Sequence, residues 1–125
     1  MISLLIIDDD VATCDFLKSF FCQSGYKVFT ANDGSQAFII VKEEKPDVIL
    51  LDVLMPGLSG IEVLQKIKKA SNGAKIIMMS AVDAEVVVGM AMKYGADGYV
   101  VKPFSLESLE KIISQKTSET RPSIN

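Results

Sequence analysis

At 125 residues, 49% of them apolar and 23% charged, the chain is long enough for one domain with a real core and too apolar to be disordered. A formal charge of −3 argues against a surface that grips nucleic acid by itself, and the lack of any histidine excludes His-based catalysis, most zinc sites and a phosphohistidine carrier. No apolar run approaches the ~20 residues that span a bilayer, and the opening MISLLIIDDD lacks the basic segment of a secretory signal.

Ser3 to Ile7 is a strand-like run stopped by Asp8, Asp9 and Asp10. Val11 to Ser24 follows as a helix, with Asp10 as N-cap, an apolar face expected at Phe16, Leu17, Phe20 and Phe21, and Gly25 at its end. The only cysteines, Cys14 and Cys22, fall on this helix about 12 Å apart at 1.5 Å rise per residue. That is too far for a disulfide and predicts free thiols in a reducing, cytoplasmic setting. Tyr26 to Thr30 reads as the second strand, and Gln36 to Glu44 as the second helix, closed by Pro46. Asp47 to Leu51 is the third strand, ended by Asp52. Met55-Pro56-Gly57-Leu58-Ser59-Gly60 is loop chemistry, and Ile61 to Ala70 is the third helix. After a turn at Asn72-Gly73 comes the fourth strand, Lys75 to Met79, followed by Ser80. The fourth helix runs from about Ala84 to Tyr94 and stops at Gly95. Gly98 to Val101 is the fifth strand, followed by Lys102, and about Ser105 to Lys116 is the fifth helix. The domain is expected to occupy residues 1–116, and the polar stretch Thr117 to Asn125 to be a frayed tail or the start of a linker.

Strict alternation of five strands with five helices predicts an α/β fold, a five-stranded parallel sheet covered on both faces. Strand two, with Lys27 and Thr30, has edge character, and right-handed crossovers then favour the order 2-1-3-4-5. Ligands of such sheets sit beyond the carboxyl ends of the strands, near the point where the order reverses. The polar residues that follow the apolar runs are Asp8, Asp9, Asp10, Asp52, Ser80 and Lys102. At least three carboxylates would thus meet in one crevice, flanked by a hydroxyl and an ammonium. They repel one another unless a cation sits among them, and an all-oxygen ligand set with open positions suits Mg²⁺. Lys102 and Ser80 could hold phosphoryl oxygens, and an Asp can act as a nucleophile that forms an aspartyl phosphate.

These residues carry a resemblance. The apolar run ending in Asp8-Asp9, the stretch Leu50-Leu51-Asp52-Val53-Leu54-Met55-Pro56-Gly57, Gly60, Met79-Ser80-Ala81, Gly95-Ala96 and Tyr99-Val100-Val101-Lys102-Pro103-Phe104 together resemble a receiver domain of bacterial two-component response regulators. The match covers about Ser3 to Lys116. It implies a doubly wound, flavodoxin-like fold and a regulatory phosphoacceptor module rather than an enzyme. It further implies Asp52 as the phosphoacceptor, and Asp8, Asp9, Asp52 and the backbone carbonyl of Leu54 as the Mg²⁺ site. Lys102, with a cis bond to Pro103, would contact the phosphoryl group, while Ser80 and Tyr99 would form the switch. The partners implied are a sensor histidine kinase or histidine phosphotransfer protein as donor, and a downstream effector or an attached output domain as target. A single-domain relay protein and a receiver from a larger transcription regulator both fit, and neither reading brings this domain to nucleic acid or a membrane.

Two enzyme-like alternatives share the fold. A flavin carrier would need a Ser/Thr/Gly-rich phosphate loop after strand one, where three aspartates stand instead. A haloacid-type phosphatase would use Asp8 and Asp10, but lacks the Gly-Thr that should follow. Two expectations concern output. The run Val86 to Met92 is more apolar than a one-sided helix requires, which makes Val88 and Met92 a candidate docking or dimerisation row on phosphorylation. Leu54 and Val82, two residues beyond Asp52 and Ser80, cannot orient a hydrolytic water, which predicts a long-lived phosphorylated state.

Overall fold

Strands that are apolar at every position belong at the centre of a sheet covered on both faces. The computed structural model describes residues 1–52, 60–71, 73–80 and 85–120. In it β1 (Ser3–Ile7), β3 (Val48–Asp52) and β4 (Lys75–Ser80) form the middle of the sheet, with β2 (Lys27–Ala31) and β5 (Gly98–Val101) at its edges. All neighbours pair in parallel, in the order β2-β1-β3-β4-β5. The helices are α1 (Val11–Gln23), α2 (Gly34–Glu44), α3 (Gly60–Ala70), α4 (Glu85–Lys93) and α5 (Leu106–Thr120).

The two-residue period of the central strands divides the core into two layers. Leu5, Ile7, Ile49, Leu51, Ile76 and Met78 meet Ala37 and Val41 of α2, Val63, Leu64 and Ile67 of α3 and Ala91 of α4. Leu4, Ile6, Val48, Leu50, Ile77 and Met79 meet Cys14, Leu17 and Phe21 of α1 and Leu109 and Ile113 of α5.

Helix ends follow the expected chemistry. Asp10 accepts the backbone N–H of Ala12, and Asp33 accepts that of Gln36, so each satisfies a donor that has no partner within its helix. Gly25, at φ +93°, lets the chain turn back so that the N–H of Tyr26 reaches the carbonyl of Phe21 at 3.0 Å.

Three expectations are corrected. The buried face of α1 is Cys14, Leu17 and Phe21, while Phe16 is 61% exposed and Phe20 only half-buried. Both sets have helical spacing, and packing against the strands beneath, Leu4, Ile6, Val48 and Leu50 among them, selects between them. Asp52 and Ser80 are the last paired residues of their strands rather than the first beyond them, in register with Met79 and Val101. α5 continues past Lys116 to Thr120, because Thr117 is buried and its hydroxyl donates to the carbonyls of Ile113 and Ser114, both at 3.0 Å.

Both cysteines are free, Cys14 buried and Cys22 exposed. Burial pushes the Cys14 thiol up to about 11, with the neighbouring Asp8 charge adding to the effect. Iodoacetamide at mildly alkaline pH should therefore modify one thiol in the native chain, at Cys22, and two after denaturation. Peptide mass mapping reads the difference; modification of Cys14 in the native state would contradict its burial.

Candidate functional site

Parallel strands send all their carboxyl ends to one edge of the sheet, and β1 and β3 lead to helices on opposite faces, which opens a crevice between them. Asp8 follows β1, Asp52 ends β3, Ser80 ends β4 and Lys102 follows β5. Four elements remote in sequence therefore deliver their polar residues to one place. Carboxylate oxygens of Asp8, Asp9 and Asp52 all lie within 4.8 Å of one another, with Asp8 and Asp52 buried and Asp9 exposed. The Lys102 ammonium stands 3.3 Å from Asp8 Oδ2 and 3.7 Å from Asp52 Oδ2.

Among the described residues, three negative charges face one positive charge. At an effective dielectric of about 20, two carboxylates at this separation repel by about 3 kcal/mol, so the cluster is set to attract a further cation. Hard carboxylate oxygens without sulfur or imidazole fit Mg²⁺, and Asp8, Asp9 and Asp52 form a candidate group that could hold it.

The third aspartate of the triplet is differently employed. Asp10 accepts the Thr13 hydroxyl at 2.6 Å as well as the Ala12 N–H. These hydrogen bonds, that from Thr13 first, hold its carboxyl below the usual carboxylate range. It caps α1 and stands outside the cluster.

Asp8 is restrained at every polar group. Its N–H donates to the Ala31 carbonyl at 3.0 Å, and its Oδ1 accepts the Asp10 N–H at 3.0 Å. Its carbonyl accepts Asn32 Nδ2 at 3.0 Å and the Cys14 thiol at 3.4 Å. Asn32 is itself tied to the start of α2, its N–H donating to Gln36 Oε1 at 2.9 Å. Sequence reasoning passed over Asn32 and Cys14, which clamp the acidic loop from β2 and α1. The available signal was the position of Asn32 directly after β2, the strand beside β1.

Ser80 is 1% exposed, and its carbonyl accepts the Lys102 N–H at 2.7 Å, which ties the lysine to β4. The Lys102–Pro103 bond is cis. Tyr99 is half-buried on β5 and packs on the core layer shared with α2, α3 and α4. Leu54 and Val82 lie outside the described residues. On α4, Val88 is half-buried, Met90 is 42% and Met92 46% exposed, and Ala91 takes the core position.

With this geometry in place, the family profile of the response regulator receiver domain matches residues 4–114. The chain belongs to that family. A receiver domain protein described as CheY-like, from Methanospirillum hungatei JF-1, is 29% identical with a TM-score of 0.91, over 96% of each chain. The receiver domain of the Francisella response regulator 1452 is 30% identical with a TM-score of 0.89, over 97% of this chain and all of that one. The chemotaxis protein CheY4 of Vibrio cholerae is 28% identical with a TM-score of 0.86, over 92% of this chain and 98% of that one. The receiver is thus a regulatory module of two-component signalling with a flavodoxin-like fold. Among its described residues, no helix is long and apolar enough to cross a membrane.

Proposed function

We propose that this receiver accepts a phosphoryl group on Asp52 from a phosphohistidine of a sensor kinase or phosphotransfer protein, and that the modification redirects a partner-binding surface. One observation carries the reading: the carboxylate of Asp52 sits at the end of β3 within the acidic cluster, with the Lys102 ammonium 3.7 Å away. An Asp52 oxygen would attack phosphorus, the P–N bond to the donor imidazole would break, and the released nitrogen pair would take up or share a proton in solvent. Mg²⁺ bound at Asp8, Asp9 and Asp52 would supply neutralisation of the phosphoryl oxygens during transfer. Lys102, already held between Asp8 and Asp52, can turn its charge to the same oxygens. Asp8, locked by its backbone bonds, keeps the cluster in one geometry.

The switch would pass through Ser80 and Tyr99. The buried Ser80 hydroxyl lies at the strand end beside the acceptor strand, and Tyr99 lies in the adjacent strand against the layer that includes α4. Drawing Ser80 toward the new phosphoryl oxygens would bias Tyr99 and the α4–β5–α5 surface, where Met90 and Met92 are already exposed, toward a partner-binding state. The partner is an effector protein, an attached output domain or a second copy.

Phosphorylation by acetyl phosphate with Mg²⁺, followed by intact mass, tests the assignment. The native chain should gain one acid-stable, base-labile phosphoryl group, Asp9→Ala should gain much less, and Asp52→Asn should gain none. Uptake by Asp52→Asn equal to the native chain would overturn the reading.

A further inference from the structure

Helix α2 carries more apolar surface than the sheet can cover. Its run Ala37-Phe38-Ile39-Ile40-Val41 wraps around the helix, yet only Ala37 and Val41 are fully buried, and Ile39 is 55% exposed. The surplus faces α3. Between the two helices lies a cleft of about 750 Å³ with walls formed by Phe38 and Ile39 of α2 and Val63, Ile67 and Ala70 of α3. It runs along α2 from Gly34 to Lys42, eight residue steps or about 12 Å at 1.5 Å per residue, close to two helical turns.

The charge around this cleft is opposite in sign to that of the chain. Lys42, Lys66 and Lys69 line it, all three exposed, and among the described residues no carboxylate does, although the chain as a whole carries −3. The Lys42 ammonium lies 4.5 Å from the Phe38 ring centroid, so its stem covers the apolar wall while its charge stays available. Among the described residues none of the three forms an ion pair, whereas Lys68, also on α3, is paired with Asp97 at 3.8 Å.

We infer that the α2–α3 cleft is a docking groove for an amphipathic helix of a partner protein, one with an apolar stripe about two turns long and acidic flanks. An apolar floor between cationic walls recognises that pattern, because aliphatic side chains displace water from the floor while carboxylates on both flanks meet the lysines. A nucleic acid would gain little from aliphatic walls and would be repelled by the net charge of the chain. None of the residues that line the groove belongs to the acidic cluster at Asp52, so the proposal is independent of the role of Asp52.

A display library of short helical peptides, unbiased in charge, tests this on the unphosphorylated full chain, so that its outcome is separate from the role of Asp52. Selected peptides are then measured by fluorescence anisotropy against the native chain, Ile39→Ser and Lys66→Glu/Lys69→Glu, alongside a labelled DNA duplex, with circular dichroism confirming that both variants fold. The enriched peptides should be amphipathic and acidic, and each variant should weaken their binding by about tenfold or more, equal to about 1.4 kcal/mol. Enrichment of neutral or basic peptides, or binding unchanged by both variants, would overturn the proposal. So would duplex binding that is lost in the lysine variant while no acidic peptide is enriched. Self-association of the native chain in sedimentation that Ile39→Ser abolishes would assign the groove to a second copy instead, and would equally overturn it.

Discussion

Replacing Asp52 by Asn is expected to make the Mg²⁺-free protein more stable, by about 1–2 kcal/mol, while removing its capacity to be phosphorylated. Folding brings the carboxylates of Asp8, Asp9 and Asp52 within 4.8 Å, and among the described residues one ammonium stands against them, 3.3 Å from Asp8 and 3.7 Å from Asp52. The unfolded chain holds these charges apart in water, so the repulsion is carried by the native state alone. Neutralising Asp52 leaves the buried Asp8 paired with Lys102 and relieves it. Lys102→Met should act in the opposite direction. It leaves two buried carboxylates without their cation, and because Lys102 is itself 30% exposed the loss is set at about 2 kcal/mol rather than the larger figure for a fully buried pair. Excess Mg²⁺ should change the ranking. Only the native chain offers the complete ligand set, so it gains most from metal by mass action, about 2.7 kcal/mol at a hundredfold excess over Kd, and Asp52→Asn gains little. Urea unfolding in EDTA and in Mg²⁺ reads all four quantities. If Asp52→Asn is less stable than the native chain in EDTA, the cluster is not a site of charge strain.

The second large effect is in the core. Phe21→Ala should cost about 3–5 kcal/mol, a large part of the roughly 5–15 kcal/mol that stabilises a domain of this kind. Phe21 is 0% exposed and packs edge-on against Phe20 at 5.0 Å and Tyr26 at 5.2 Å between ring centroids, under α1 and against β1 and β3. Its removal leaves a cavity that rigid strands on one side and a helix on the other cannot close. Phe16→Ala, on the same helix, should change stability by about 0.5 kcal/mol or less, since that ring is 61% exposed. The two variants share one substitution chemistry, so a shift in urea midpoint for Phe21→Ala alone isolates burial as the cause. Equal shifts would place both rings in the core and contradict the observed face of α1.

That contrast marks where one-dimensional reading ends. Phe16 and Phe21 both belong to apolar patterns with helical spacing, and a helix of period 3.6 can present either arc. Which arc is buried depends on how α1 lies across β1 and β3, which is a property of the assembled sheet. The reach of α5 to Thr120 has the same origin, since a polar tail becomes helix where a buried threonine can return its hydroxyl to the preceding turn. Asn32 is a third case. Its bond to the carbonyl of Asp8 joins residues 24 apart, and no local pattern encodes such a contact.

Much of the acidic centre was legible because of a rule peculiar to parallel sheets. Every strand ends at the same edge, so the residue after each apolar run can be assigned to one common place before any coordinate is known. The meeting of Asp8, Asp9, Asp52 and Lys102 at one edge could be expected in this way, as could the strand order and the caps at Asp10 and Gly25. Alternation of elements, period and end chemistry are local properties, and the amino-acid sequence alone determined them. Distances among the carboxylates, the division of labour between Asp10 and its two neighbours, the clamp on Asp8 and the lysine-walled cleft between α2 and α3 were decided only by tertiary packing, because each depends on side chains that the chain brings together from separate elements.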